Sequence, residues 1–404
     1  MAAAASGGGS STSTGSGGGS SSGGGGTAVL HVLEYEDVKW DRDKHGDRVQ
    51  LGQGAFGTVF AGVLHGQPVA IKAEKLERSR DVENWEKTAS MHYTASCTTI
   101  VRMHGIIVDR HDAGTTHYTV MERLAGTMTA LLLKPGGVYH SAAMHLRLQL
   151  LADVAGGLAY LHSREIIHGN VQPDNVLLTA VTPRPPLPTA KLSDFFNSVW
   201  QNDDPEKLEG ERGTPMYMDP ALLDRSARIT AASDVYSFGI MAWQVLSGLQ
   251  PYEAERVATA AANMVEAVEM LKSHVCGPGG ARPPLAALVE RGVPPVVVRL
   301  VEACWAPAQR DRPTMAAVHR FLEAAAAAAV GAGVGASGGS GGGVGGPAAL
   351  HAAPATAPLP PAASAPAPTP APAPAPVVPP APAPVRPATP DPEAPAAAAP
   401  LVHE

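Results

Sequence analysis

Residues 51–59, Leu51, Gly52, Gln53, Gly54, Ala55, Phe56, Gly57, Thr58 and Val59, space three glycines as G-x-G-x-x-G with a valine two positions on. Glycine lets a backbone come close to a phosphate and offers its N–H groups to the oxygens. A glycine trio alone is more often a turn, but the next apolar run adds the missing charge. Val69, Ala70, Ile71 and Lys72 have strand-like composition and carry one cation 15 residues after Gly57, suited to pairing phosphate oxygens. An unpaired ammonium in an apolar run is costly, so Lys72 needs an acidic partner. The charged, helix-forming stretch at residues 81–92 is the nearest source of one.

The elements that must position these groups fall into two kinds. From about Ala28 to Lys75, short β-rich runs alternate with glycine and charged turns, and residues 100–108 and 118–122 read as further strands after the charged helix. From Met144 the period lengthens: Leu146, Leu150, Val154, Leu158 and Leu161 mark one face of a long helix. Residues 234–246 and 296–304 read as buried helices, and Arg312, Pro313 and Thr314 precede a last helix ending near Ala325. A strand-rich part followed by a helix-rich part predicts an α+β, two-lobed domain over residues 28–325, with the small lobe to about residue 122 and the large lobe from about 125.

Composition sets the boundaries. Eleven of 43 glycines fall in residues 1–27, 10 more in 331–346, and 20 of 38 prolines from Pro347 onward. The first arm cannot bury enough apolar area to offset its ordering entropy and is expected to be disordered. Residues 326–404 are expected to form a glycine-rich hinge and an extended Ala/Pro tail. With 30 Lys+Arg against 37 Asp+Glu, the net charge of −7 argues against nucleic acid. Three cysteines, Cys97, Cys276 and Cys304, make neither a disulfide framework nor a metal cluster. No secretory leader or strongly apolar run of spanning length is evident. A soluble, cytoplasmic protein is expected.

With the glycine loop and Lys72 in place, the chain resembles the protein kinase family, and the match extends in order to about Ala325. Asp234, Val235, Tyr236, Ser237, Phe238 and Gly239 resemble the start of that family's large buried helix, and Cys304-Trp305 with Arg312-Pro313-Thr314 resembles its closing segment. Gly213-Thr214-Pro215-Met216-Tyr217-Met218 and Pro173 resemble the Ser/Thr type within the tyrosine-kinase-like branch. The resemblance implies a bilobal kinase fold that holds ATP and Mg²⁺. It implies Glu86 as the helix acid facing Lys72, with Glu83 as the alternative, although counting back from Ile100 and Val101 lands on Thr88. It further implies Met121 as gatekeeper, the backbones of Glu122 and Leu124 facing adenine, and Val59, Ala70 and Leu177 around the ring beneath Leu51, Gly52, Gly54 and Gly57. His168 resembles the histidine that props Phe195.

The departures from that family are selective. Where it has H-R-D-L-K-P-x-N, this chain has His168, Gly169, Asn170, Val171, Gln172, Pro173, Asp174 and Asn175. Asn175 is kept as a metal ligand, but Asn170 stands at the position of the base, and an amide cannot take up a proton near neutral pH. Gln172 replaces the lysine that would meet the γ-phosphate, and Gly169 the arginine that would grip an activation-loop phosphate. The metal-binding D-F-G reads Asp194-Phe195-Phe196, keeping the carboxylate and losing the glycine. Met218-Asp219-Pro220-Ala221 ends without the glutamate of A-P-E, so Arg312 needs another acid such as Asp219.

The first expectation is therefore a nucleotide-binding, catalytically degenerate pseudokinase that acts on an unidentified signalling partner as scaffold or allosteric module. A slow Ser/Thr kinase and a nucleotide-free adaptor are the alternatives. Pro185, Pro186, Leu187 and Pro188, and the tail from Pro347, could meet proline-reading modules, against a passive loop and spacer. Thr214 and Ser198 are candidate phosphosites among the many loop hydroxyls that are never modified.

Overall fold

The computed structural model describes residues 30–335, apart from residues 55–56, 77, 112–113, 181–186, 211, 254–263 and 278. The expected N-terminal arm and nearly all of the expected C-terminal arm lie outside the described residues, as does most of the proline-rich insertion.

The small lobe is built on an antiparallel sheet: β1 (Val38–Trp40), β2 (Gln50–Gly54), β3 (Gly57–Leu64), β4 (Gln67–Glu74), β5 (Met103–His111) and β6 (Gly114–Glu122). The order is β1-β3-β4-β6-β5, with β2 also paired to β3. His65 and Gly66 both take positive φ, 48° and 81°, which is what a two-residue connection between right-twisted strands demands. The strand alternation then sorts the residues. Val69, Ile71, Tyr118 and Val120 point into a core with Leu33, Val38, Leu64 and Ile107, while Ala70, Lys72 and Glu74 share the opposite face. Helix α1 (Ser79–Thr94) packs on that second face through Trp85 and Ala89, against Met103 and Ile106.

The large lobe follows β7 (Gly126–Thr127) and is organised around α2 (Met144–Ser163) and, after β8 (Ile166–Ile167), β9 (Val176–Leu178), β10 (Ala190–Leu192), β11 (Val199–Trp200) and α3 (Pro220–Leu223), around α4 (Ala231–Ser247). The periodic leucines and Val154 of α2 are all buried. Helix α4 is apolar nearly all round, and Val235, Tyr236, Phe238, Ile240, Met241, Trp243 and Leu246 are all buried, so it lies inside the lobe rather than on it. It is stopped by Gly248 in the left-handed region. Helices α5 (Met264–Cys276), α6 (Ala286–Glu290), α7 (Pro295–Cys304) and α8 (Met315–Gly335) complete the lobe, with α8 laid along α2. Helix α8 continues past the end expected at Ala325, because the alanine run there has the highest helix propensity of any composition. Among the described residues, no helix is long and apolar enough to cross a membrane.

Two buried contacts fasten the parts together. Arg312, at 0% side-chain exposure, makes a two-pronged pair with Asp219, Nη1 to Oδ2 at 2.6 Å and Nη2 to Oδ1 at 3.1 Å. Asp219 thus replaces the missing A-P-E glutamate, and Gln309 donates a further hydrogen bond to it at 2.9 Å. Between the lobes, the His92 ring of α1 lies flat on Phe195 at 4.4 Å, and His168 meets the same phenyl edge-on at 5.4 Å. His92 Nε2 donates to the Val101 carbonyl at 2.6 Å, which requires a tautomer that carries its proton there.

Removing one member of a buried pair leaves the other charge unpaired, at about 3 to 5 kcal/mol. Asp219→Ala is therefore expected to lower unfolding stability by about that amount in denaturant titration, far more than loss of the half-exposed Arg123–Asp41 pair. A second expectation concerns pH. Burial pushes His92 down to about 4, against the opposing pull of the Val101 carbonyl and Asp194. The unfolded chain then binds more protons than the folded one between pH ~6.5 and ~4, so His92's contribution is complete above pH ~6.5 and is lost as pH falls through its folded value. His92→Leu is expected to flatten the acid side of the stability profile by up to about 3 kcal/mol, read as a shallower fall of melting temperature below pH 6.5.

Candidate functional site

Strand register places most of the predicted cleft residues on one surface. Val59 is the Cα partner of Lys72, Lys72 of Thr119, and Ala70 of Met121, so Val59, Ala70, Lys72, Thr119 and Met121 project from one face of β3, β4 and β6. Leu177 is half-buried between the core residues Val176 and Leu178 of β9, and its alternation turns it away from that core. Above them, β2 and β3 carry the glycines. A Cβ built on Gly52 or Gly54 would meet nothing within 4 Å, so that backbone stands open. Gly57 is different: its φ is 147° and a Cβ would fall 2.0 Å from the Ala73 carbonyl oxygen, so glycine is required by the closeness of the β3–β4 ladder. Leu51 is 43% exposed.

The hinge residues are partly committed elsewhere. Glu122 donates its backbone N–H to the Arg102 carbonyl at 2.9 Å, so that N–H is not available to a base, and its carboxylate accepts from the Arg102 N–H and the Lys191 ammonium, each at 2.7 Å. Leu124 is half-buried beside it, at the turn into β7.

Lys72 is where the sequence reading and the structure part. Its Nζ lies 3.3 Å from Asp194 Oδ1 and 3.2 Å from Glu74 Oε2. Glu86 and Glu83, the expected helix partners, are both exposed and lie off the face of α1 that meets the cleft. That face is marked by Asn84, whose amide donates to the Phe196 carbonyl at 3.1 Å, by buried Thr88, and by His92 on Phe195. These are spaced i, i+4 and i+8, one stripe of the helix. Position 88, where the count from Ile100 and Val101 lands, holds a hydroxyl and no acid. Burial alone would lower the Lys72 ammonium, but Asp194 and Glu74 outweigh it and raise it above its usual value.

Below the sheet, the loop from His168 to Asn175 hangs from Asp234 at the start of α4. One carboxylate oxygen accepts the His168 N–H at 2.8 Å and the other the Gly169 N–H at 2.9 Å. Asn170 is 5% exposed, and its Oδ1 accepts from Thr214 Oγ1 at 3.1 Å and from Gln172 Nε2 at 3.3 Å. Asn175 donates its Nδ2 to the Asn170 carbonyl at 2.9 Å, which leaves Oδ1 as the end able to meet a cation. Asp194 adopts φ 61°, a left-handed conformation that short polar residues tolerate and that turns its carboxylate toward Lys72. Phe196, where the family has glycine, does not take a positive φ.

These groups suit a magnesium nucleotide by their chemistry. Among the described residues no three His, Cys, Asp or Glu side chains are grouped to hold a metal by themselves. Asp194 and Asn175 offer one carboxylate and one amide oxygen, a donor set typical of Mg²⁺ shared with phosphate oxygens and water. Lys72 supplies the cation and the open glycine backbone the N–H groups.

Sequence reasoning missed Glu74, Thr119 and Trp85. The signal was present for the first: residues two apart on a strand share a face, so an acid at position 74 is a neighbour of Lys72 by geometry alone. Thr119 could be found only once the β4–β6 register was known.

Comparison with known proteins accounts for this layout. The chain is 30% identical over 291 residues to calmodulin-binding receptor-like cytoplasmic kinase 3 of Arabidopsis thaliana, covering 69% of this chain and 54% of that protein. It is 32% identical over 232 residues to dual specificity protein kinase zakA of Dictyostelium discoideum, covering 54% and 28%. With mitogen-activated protein kinase kinase kinase 13-B of Xenopus laevis it shares 28% over 203 residues, covering 50% and 19%. The chain thus spans about half, or less, of the length of these relatives. The family model described as protein tyrosine and serine/threonine kinase matches residues 47–322, the whole of the two-lobed body from β2 to α8, and the chain belongs to that family.

Proposed function

We propose that this kinase domain binds Mg·ATP and transfers phosphate poorly or not at all, and that its conformation, set by nucleotide, is what a signalling partner reads. The observation that carries this is the contrast between two neighbouring sites. Lys72 and Asp194 stand 3.3 Å apart with Asn175 oriented by its own amide, which supports a site able to hold a triphosphate and its metal. Asn170, at the position where a hydroxyl would be deprotonated, is an amide with its oxygen already engaged by Thr214 and Gln172.

When bound, the nucleotide would supply a γ-phosphoryl group. Lys72 would neutralise phosphate charge, Asp194 and Asn175 would hold the ion, and the Gly52–Gly54 backbone would cover the phosphates. Asn170 could orient an incoming hydroxyl but could not accept its proton, and a general base is typically worth about 10² to 10⁴-fold. Gln172 brings no positive charge to the transition state. The three cysteines are free thiols, which accords with a cytoplasmic setting. The partner is an unidentified signalling protein, and the proline-rich tail is a candidate site for a proline-reading module.

A slow Ser/Thr kinase is the second reading. It is favoured by the relatives, whose names are those of kinases, and by the dependence of phosphoryl transfer on positioning more than on proton removal.

Mg·ATP is expected to raise the melting temperature of the wild-type chain by several degrees, an effect lost in Lys72→Ala. Radiolabel transfer from ATP to a generic protein substrate is expected to be at background in wild type and to rise in Asn170→Asp with Gln172→Lys by about 10²-fold or more. Wild-type turnover equal to that of the double variant would establish the kinase reading instead, and absence of any Mg·ATP shift would leave the nucleotide-free adaptor.

A further inference from the structure

Glu74 sits where the strand period puts it, two residues beyond Lys72 on the same face of β4, yet it is treated like a core residue. Its side chain is 3% exposed. Oε1 accepts from Thr119 Oγ1 at 2.7 Å, and Thr119 in turn accepts from Trp85 Nε1 of α1 at 3.1 Å. Oε2 is buried and faces the Lys72 ammonium at 3.2 Å. A carboxylate withdrawn from water at this depth is tolerated only where a cation and donors compensate it. The sheet therefore contains a fixed acid, clamped by a threonine on the next strand, whose second oxygen is aimed at Lys72.

The helix offers nothing equivalent. Its inward stripe is Asn84, Thr88 and His92, and Thr88 turns its hydroxyl back to the carbonyls of Asn84 and Trp85 at 3.0 and 3.2 Å. Contacts between α1 and the opposite lobe run instead to the segment after Asp194: Asn84 to the Phe196 carbonyl, and Lys87 in an ion pair with Asp203.

We propose that Glu74 is the positioning residue for Lys72, holding the ammonium toward the phosphates from within the sheet, so that the nucleotide site stays assembled without any acid on α1. This rests on the reading that the cleft binds Mg·ATP. Helix α1 can then move with the Asp194–Asp203 segment without breaking the lysine's ion pair to Glu74.

The test is equilibrium binding of a fluorescent ATP analogue with Mg²⁺ to the full chain and its variants, with melting temperature measured without nucleotide alongside. Glu74→Gln keeps the size and an acceptor for Thr119, and puts a neutral amide NH₂ in place of the charged oxygen facing Lys72. It is expected to weaken binding about 10-fold or more, the scale of one charge-assisted contact. Glu83→Gln and Glu86→Gln are expected to bind as wild type does. Adding Thr88→Glu to Glu74→Gln places an acid on the inward stripe of α1 and is expected to restore affinity to within about 3-fold of wild type. Loss of packing alone would not be repaired in that way. If Glu74→Gln does not fold, Thr119→Val removes the clamp without changing any charge and is expected to weaken binding in the same sense. Undiminished binding by folded Glu74→Gln, or by folded Thr119→Val, would overturn the proposal while leaving nucleotide binding intact. No binding by wild type would overturn both readings together.

Discussion

Much of this molecule hangs from one carboxylate. Asp234 lies 1% exposed in the first turn of α4, the helix that the large lobe is packed around. It accepts the backbone N–H groups of His168 and Gly169 and the ring of His162 at 2.9 Å. A carboxylate in this position spends its lone pairs on main-chain donors at a helix N-terminus, where negative charge is favoured. The loop it anchors carries Asn170, Gln172 and Asn175, and His168 then accepts Phe195 against its ring edge. So the core helix, the loop and the segment around Asp194 are placed as a series, each by the one before. Little of this depends on what the loop residues can do chemically, which is why replacing the family's acid by Asn170 leaves the architecture standing.

The replacements share a physical character. Asn170 keeps the shape of the acid it stands for, Gln172 puts a shorter neutral amide in place of the lysine, and the two hydrogen-bond each other at 3.3 Å where the charged pair would attract. An amide pair costs less to bury than two ions and has no proton to give or take at neutral pH. Arg312 keeps its charge in the core, where an unpaired guanidinium would be costly. With the A-P-E glutamate absent, Asp219 supplies the counter-charge from the neighbouring position, and its two-pronged geometry satisfies both terminal nitrogens.

The two-lobed fold was legible because its signals are periodic and local. The leucines of α2 and the apolar run of α4 say helix and say buried, and the glycine loop, Lys72 and the loop around Asn170 keep recognisable spacing. The partner of Lys72 was not legible in that way. The family's usual arrangement is an ion pair across elements, which points to Glu83 or Glu86 on the next charged helix, whereas here it forms along a single strand. The count to Thr88 held the clue, since His92 falls one turn later, on Phe195, and fixes which stripe of α1 faces inward. The sequence puts the end of the last helix near Ala325, ahead of the glycine-rich stretch, whereas the helix propensity of the alanine run carries α8 to Gly335.

An acid carried on a mobile helix makes lysine positioning conditional: the pair exists only when the helix is in place. An acid carried on the same strand as the lysine relaxes the condition, because the β3–β4 and β4–β6 ladders set the backbone of Lys72 and Glu74, and α1 reaches the pair only through Trp85 on the Thr119 clamp. What α1 keeps is its hold on the other half of the site, through His92 on Phe195, Asn84 on the Phe196 carbonyl and Lys87 on Asp203. Asp194 links the helix to the lysine, since it touches Lys72 on one side and precedes Phe195 on the other. On the proposed reading, a ligand on Asp194 that favours one position of that segment would couple nucleotide to the outer surface of α1 without any phosphoryl transfer.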